Sequence, residues 1–506
     1  MKSRIIISTL LLTSLAFSGC KDTLDLNPLD QISTGIFYKS KGDFDKSLAA
    51  VYASMQTEEF SYGMGFRDCL TDNGYGQFNS GSVNDIVQGN LNTTTGGYET
   101  GIYNNAYRGI ARVNIFLKNL DQYAGSDMSI TDRTAFQAEV RFIRAYLYYH
   151  LYTIYGEVPL VLAPLELEDQ KQPKVAAEQI LSQILTDLDY SITNLKTGPY
   201  YSNGGHAASS SAKALKARVL LFAAYGNNGT PDPVKLATVI DLSKEVISQY
   251  KLSANYEDIF RDATQKNNTE VIFSVNFLAP NNTAPWDLYL GDWVAVSPLP
   301  NLVKDYEYID GLPYGTSPLT NADNPFTNRD PRLKKTVFKD FVDFGNGKTH
   351  IPSNPRPTGY GVMKFLDPAN LPFGFSSLSQ QDAIVLRLAE VMLMYAEAQN
   401  EIAGPDQSVY DTMKELRARV GMPAYPAGYN QGEMRERIRH ERRIELAFEG
   451  LRHYDLIRWH IAGDVLNKVK DSPVSYHFDD KFYRWPLPQT EIDKSSGILI
   501  QNPNYK

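Results

Sequence analysis

The run from Arg439 to Trp459, RHERRIELAFEGLRHYDLIRW, constrains this 506-residue chain more than any other stretch. It sets arginines and glutamates around an apolar seam. Ile444, Phe448 and Leu451 recur at i, i+4 and i+7, which places them on one face of a predicted helix. Arg442 and Glu445 are three apart, as are Glu449 and Arg452, and this spacing permits ion pairs along the helix. Arginine grips a carboxylate through two parallel N–H donors, so such pairs fix geometry as well as neutralise charge. The expectation is a charged helix that docks against the body and turns at Gly450. Physically this reads as a structural clasp in preference to a catalytic centre.

Further segments carry a specific pattern in a fixed order. These are FIRAYLYYHLYTIYGEVPLV (142–161), LRLAEVMLMYAEAQNE (386–401), LRARVGMP (416–423), WPLPQTEI (485–492) and QNPNY (501–505). Together with the 439–459 stretch they resemble the SusD/RagB-type nutrient-binding outer-membrane lipoproteins, over nearly the whole mature chain. The resemblance implies a mainly α fold built on a tetratricopeptide-like helix-pair scaffold. It also implies a binding protein that acts as a lid over a TonB-dependent transporter barrel of the SusC type. The fold does not name the ligand.

The N-terminus reads as an address. Lys2 and Arg4 precede an apolar stretch from Ile5 to Phe17, and Ser18-Gly19 lead into Cys20. This is a secretory signal too short to span a bilayer. Small residues directly before a cysteine indicate a lipoprotein cleavage site. Residues 1–19 are therefore the expected signal peptide and Cys20 the expected lipidated residue. Only two cysteines occur in the chain, so Cys69 has no intramolecular partner once Cys20 is acylated. Cys69 is expected as a small buried hydrophobe. Lys21-Asp22 after the cysteine resembles a surface-export tag of this family's relatives, and the expected location is the outer membrane, lipid-anchored at the cell surface.

The net charge is −8, and removing Lys2 and Arg4 leaves 48 basic against 58 acidic residues, or −10. An acidic chain without a basic stripe is a poor candidate for nucleic acid. Helical periodicity is read at 43–56, 101–121, 132–155, 175–195, 208–224 and 233–249, in pairs joined by short turns. From about 253 to 378 the chain is rich in Asn, Pro, Gly and aromatics, with one plausible strand at 270–275. Helix returns at 383–402, 406–420 and 431–449. The expected organisation of residues 20–506 is one domain. It has a helical scaffold over about 40–250 and 380–460, a loop-rich insertion at 253–378 and a few short strands. A second irregular stretch lies at 60–100. Loops on a rigid scaffold are where binding sites usually sit.

No catalytic constellation stands out. His440-Glu441 lacks the spacing of a zinc protease, and neither a nucleophile elbow nor a phosphate-binding loop is present. Seven histidines are scattered without metal spacing. No cofactor and no metal ligand set is expected, and the sequence leaves open whether calcium supports a loop. The stronger signal is aromatic. Of four tryptophans, Trp459 and Trp485 belong to segments that look structural. Trp286 and Trp293 sit seven apart in PNNTAPWDLYLGDWVAVSP, with Tyr289 between them. Exposed rings there offer flat apolar faces to a sugar, and Asn281, Asn282 and Asp287 supply hydrogen-bonding groups. The alternative is that these rings plug the loop onto the body. In RDCLTDNGYGQFNSG (67–81), Asp72, Asn73, Tyr75 and Phe78 form a second candidate group, with an Asx-turn role as its alternative. The resemblance implies that the early loop and the mid-chain insertion help form the ligand surface.

The expected function is a surface lipoprotein that captures oligo- or polysaccharide and passes it to its transporter. A peptide-binding lipoprotein of the same transport type is the alternative. A surface glycoside hydrolase, which needs two carboxyls at catalytic separation, is a weaker one, and a purely structural scaffold another.

Overall fold

The computed structural model describes residues 37–505, apart from 227 and 322. The expected signal segment and Cys20 lie outside the described residues. Ten principal helices carry the fold. They are α1 (Lys41–Tyr52), α2 (Tyr98–Gln122), α3 (Ile130–Tyr155), α4 (Ala177–Asn194), α5 (Ser209–Ala224), α6 (Pro233–Ile247), α7 (Leu388–Ala403), α8 (Gln407–Arg419), α9 (Gln431–Glu445) and α10 (Arg452–Arg458). Successive members from α2 to α6 pack on one another as antiparallel hairpins, and α7 closes the row against α6 before meeting α8 and α9. The fold is mainly α, with short two-stranded sheets.

Local chemistry explains where the helices begin. Ser129 and Asp132 form a capping box at α3, as Asn430 and Glu433 do at α9. Asp232 caps α6 with Pro233 in the first helical position, where its missing N–H costs nothing. α3 is buried from Phe142 through Tyr155, which is why its sequence is apolar all round near that end. Cys69 is free and buried, as expected.

Two elements differ from the periodicity. The stretch expected as helix from 383 begins as a strand, because Ala383–Arg387 pairs antiparallel with Val271–Val275. Both strands are buried throughout, and a short buried apolar run does not declare its type by periodicity alone. These strands are β4 and β2. β1 (Gly74–Gly76) pairs with β3 (Val296–Pro298), with Tyr75 opposite Ser297. That pairing brings the early irregular loop beside the mid-chain one.

The second difference is the clasp. α9 stops at Glu445, Phe448 takes a left-handed φ of 66° and Gly450 one of 72°, so Ile444 and Leu451 are not on one continuous helix. A Cβ at Gly450 would lie 3.1 Å from Arg67 Nη1 and 3.3 Å from Met64 Cα. The ion pairs are also not the expected i, i+3 ones. Arg442 pairs with Asp455, and Arg452 with Asp72. Glu445 instead receives Arg387, Arg419 and Arg332 at 2.7, 2.5 and 2.9 Å. Arg387 also reaches Glu270 at 2.8 Å and Glu449 at 2.7 Å, and Lys364 reaches Glu449 at 2.6 Å. Arg332 continues to Asp330 and Glu441, and Arg417 joins Glu441 to Glu307.

These groups are buried, apart from the half-buried Arg419 and Arg452. Cations and carboxylates alternate, so desolvation is met by direct charge-assisted hydrogen bonds. Burial opposes ionisation of Glu445, yet Arg419, Arg387 and Arg332 hold its carboxyl far below the usual range. Glu397 is likewise held down at about 2, burial being overcome by Arg458.

Arg387→Ala should leave Glu445 and Glu449 without their shared cation and cost about 3–5 kcal/mol, the usual penalty for stranding a buried charge. Urea denaturation measures this, and a loss below about 1 kcal/mol would remove the network from its structural role. Because these carboxyls have depressed folded-state pKa values, their stabilisation is present above the unfolded glutamate value near 4.5 and disappears as pH falls below it.

Candidate ligand-binding face

The loops joined by the β1–β3 pairing carry a set of aromatic rings. Asp287–Asp292 forms a π-helical turn, closed by Trp293 N–H donating to Leu288 O at 2.8 Å. Such turns are uncommon and often mark functional sites. Val294 follows with φ at 49°, a left-handed value that a β-branched side chain adopts only when its surroundings enforce it. Ala295 is the enforcer: its N–H donates to Tyr289 O, and its carbonyl accepts from Gln77 N–H at 2.9 Å. Tyr289 and Trp293 are thereby stacked at 5.6 Å with an interplanar angle of 18°.

Other rings extend this pair. Phe78 meets Trp293 edge-on at 6.2 Å, and Phe375 meets it at 5.4 Å. Phe375 is 84% exposed and Phe78 51% exposed, an unusual condition for phenylalanine. Tyr62 meets Tyr289 at 6.4 Å and Phe277 at 6.3 Å. The loop behind Phe78 is pinned at Gly81, where a Cβ would lie 2.3 Å from the Tyr98 ring. Glu58 lies beside this arc, accepting from Ser80 Oγ at 3.5 Å. Burial, with the charge of Glu59 nearby, pushes its carboxyl up to about 7.

The expected site residues divide into three groups. Phe78, Tyr289 and Trp293 come together in the ring cluster. Tyr75 is half-buried in β1 and packs against the core, and Asn282 is exposed some way along the chain from the rings. Asp72, Asn73 and Trp286 are corrections, because all three are internal.

Asp72 accepts from Arg452 at 3.0 Å and pairs with Arg443 at 3.0 Å. Burial alone would raise its pKa, but Arg443 and Arg452 hold it down at about 2. Asn73 donates to Asp68 at 2.7 Å and accepts from Arg443 at 2.9 Å. These two residues bolt the early loop to the clasp. Trp286 is 2% exposed, stacks on Phe365 at 4.7 Å and donates through Nε1 to Gln381 O. Asp287 is also buried, accepting from Ser379, Asn370 and the Asp367 N–H, and burial lifts it to about 6.

Phe375 and Tyr62 escaped the sequence reading. Phe375 lies in PFGFSSLS, where two phenylalanines among glycine and serine are a weak signal at best. Tyr62 is one of 32 tyrosines. Among the described residues no group of three or more His, Cys, Asp or Glu is placed to hold a metal ion.

The chain matches the family model described as the SusD family over residues 256–505. A second, SusD-like model, described as starch-binding associating with outer membrane, matches residues 23–221. The chain belongs to the SusD/RagB family. SusD-like protein P25 of Formosa agariphila is 26% identical, with 97% of this chain and 94% of that protein covered. A SusD-like carbohydrate binding protein of Bacteroides fragilis superposes with a TM-score of 0.79 at 24% identity, covering 93% of this chain and 100% of that one. Surface glycan-binding protein A of Bacteroides thetaiotaomicron, solved with laminarihexaose, gives 0.70 at 20% identity, covering 92% and 99%. No helix among the described residues is long and apolar enough to cross a membrane.

Trp286 and Phe375 should respond unequally to truncation. Trp286→Ala should cost about 3–5 kcal/mol of stability, while Phe375→Ala should stay within about 0.5 kcal/mol. Urea denaturation of both variants decides this, and a neutral Trp286→Ala would contradict the internal role. Glu58 carries a raised folded-state pKa, so the folded protein retains a proton that the unfolded chain releases above about 4.5. Its contribution to stability therefore falls as pH rises from there to about 7. Glu58→Gln should flatten melting temperature against pH across that window, and an unchanged slope would count against a carboxyl so placed.

Proposed function

We propose that this protein is a cell-surface glycan-binding lipoprotein that holds oligo- or polysaccharide on the Phe78–Tyr289–Trp293–Phe375 face. It delivers the glycan to a partner TonB-dependent outer-membrane transporter of the SusC type. The observation that carries this reading is a group of exposed or half-exposed rings on loops locked by buried hydrogen bonds. Water-exposed aromatic surface costs free energy unless a ligand covers it. Sugar rings present C–H faces to such surfaces and hydroxyls to polar groups at the rim.

The outer-membrane description of the matched family model and the laminarihexaose bound by a relative support the same assignment. Cys20 provides the lipid anchor after removal of residues 1–19. On this reading the protein binds its ligand without turning it over, and the buried carboxyls of Glu445 and Glu449 are committed to arginines.

Calorimetry of the mature chain against neutral polysaccharides and peptide mixtures tests this. One glycan should bind, and Trp293→Ala combined with Phe78→Ala should weaken it about 30-fold, or about 2 kcal/mol, with the melting temperature preserved. Binding of peptides alone, or full glycan affinity in the double variant, would reject the glycan face.

A further inference from the structure

A cleft of about 610 Å³ opens between α1, the Gly204–His206 turn and the chain following β2. Its walls include Asp45, Gln56, His206, Asn276, Leu278 and Asn282. The volume falls within the range that bound small ligands occupy. Phe277 lines the same cleft, and its ring is three steps from Trp293, through Tyr62 and Tyr289, at 6.3, 6.4 and 5.6 Å. A chain of ring contacts, through half-buried Tyr62 and Tyr289 to buried Phe277, therefore joins the ring face to the cleft wall. Leu278, 62% exposed, stands at the cleft and extends the apolar surface there.

Gln56 and Asn276 are spent on hydrogen bonds within the protein, whereas His206, Asn282 and Asp45 keep groups for a ligand. His206 Nδ1 is 2.7 Å from Glu139 Oε2, which also accepts from Tyr52 OH at 2.6 Å. Tyr52 in turn accepts from Ala207 N–H, and its ring meets the imidazole edge-on at 5.8 Å. The imidazole is thus fixed through one nitrogen, and Nε2 is left for a ligand. The hydrogen bond to Glu139 raises the His206 pKa. The Asn282 backbone is held by paired hydrogen bonds with Leu278, at 2.9 and 2.6 Å, while its side chain is exposed. Asp45 is exposed near His206 and has no ion-pair partner among the described residues. No Lys or Arg among the described residues lines the cleft. With Asp45 at the wall and Glu139 behind His206, an anionic ligand would meet carboxylates and only one histidine in return.

We infer that this cleft is a second subsite for the same ligand, and that the ligand is a neutral oligosaccharide lying lengthwise from the Phe78–Trp293 rings into the cleft. This rests on the glycan reading of the ring face. One sugar ring reaches one end of the aromatic path, so occupancy of both ends requires an oligomer. Asp45, Asn282 and His206 Nε2 provide one acceptor-only group, one amide and one donor or acceptor, a set suited to uncharged hydroxyls.

The test is calorimetry of the mature chain with laminari- and malto-oligosaccharides of two to seven units. Affinity should rise at least 10-fold from the trimer to the hexamer in one series. Asp45→Ala with Asn282→Ala, both exposed side chains, should abolish that rise with little change at the trimer. Trp293→Ala should weaken every length. A rise that survives in the cleft variant, or affinity flat with length while Trp293→Ala still abolishes binding, overturns the second subsite and leaves the ring face intact. Trimer binding unaffected by Trp293→Ala overturns the ring face and this inference with it. Failure of both series while a sulfated or uronate-bearing oligosaccharide binds overturns the neutral assignment.

Discussion

The carboxylate of Glu445 holds the two textures of this chain together. It is fully buried and receives Arg387 from β4, Arg419 from α8 and Arg332 from the loop-rich insertion. A charge in that position is tolerable only when all three guanidiniums are present, because the cost of removing it from water is several kcal/mol. Each arginine also reaches a further carboxylate: Arg387 and Arg419 share Glu270, and Arg332 takes Asp330 and Glu441. The result is a closed alternation of sign. Helices α8 and α9 cannot separate from the insertion without stranding a buried ion. The scaffold and the irregular stretch are thus one mechanical unit at this point, although their sequences look unrelated.

The same helix places the loops that carry the ring cluster. Arg443, in the last turn of α9, donates to Asn73 Oδ1, Asp72 O and Asn301 Oδ1 at 2.9, 2.9 and 2.6 Å. Those residues flank β1 and β3, and that pairing sets Phe78 against Trp293. Geometry is therefore transmitted from the buried network to the exposed rings through a few charge-assisted bonds. The left-handed Val294 and the π-helical turn are held by this frame. A strained backbone persists when its surroundings over-determine it.

Much of this was readable in the sequence, and the failures have identifiable causes. The helices of the first half follow periodicity closely: 132–155 was expected and Ile130–Tyr155 is found, while 208–224 became Ser209–Ala224. Capping residues and glycines punctuate these segments, so local chemistry suffices. Residues 383–387 misled because AIVLR is apolar in any register, and only its pairing with β2 decides its state. The charged stretch does form a clasp, but with partners other than those its spacing suggests. Spacing along one helix suggests neighbours at i+3, whereas the actual partners are up to 380 residues away. For the site, type was legible and exposure was not. Asp72 and Asn73 have the chemistry to bind hydroxyls, but two arginines already occupy it. Phe375 has no sequence mark that separates it from any core phenylalanine.

Trp286 and Trp293 make the same point within one loop. Trp286 takes the alternative in which a ring plugs the loop onto the body, whereas Trp293 is half-exposed. Trp286 is driven into the body against Phe365, and Asp287 beside it is satisfied by Ser379 and Asn370. The π-helical turn lies between the two tryptophans, and the second ring stacks on Tyr289. Burial of the first tryptophan therefore supplies the rigidity with which the second is presented. A ring already fixed in a stacked pair with Tyr289 loses little rotamer freedom when a ligand covers it. Such preorganisation lowers the entropic cost of binding, which for a flat, weakly adhesive sugar face is a large share of the total. An exposed tryptophan on a free loop would have the same chemistry and much less use for it.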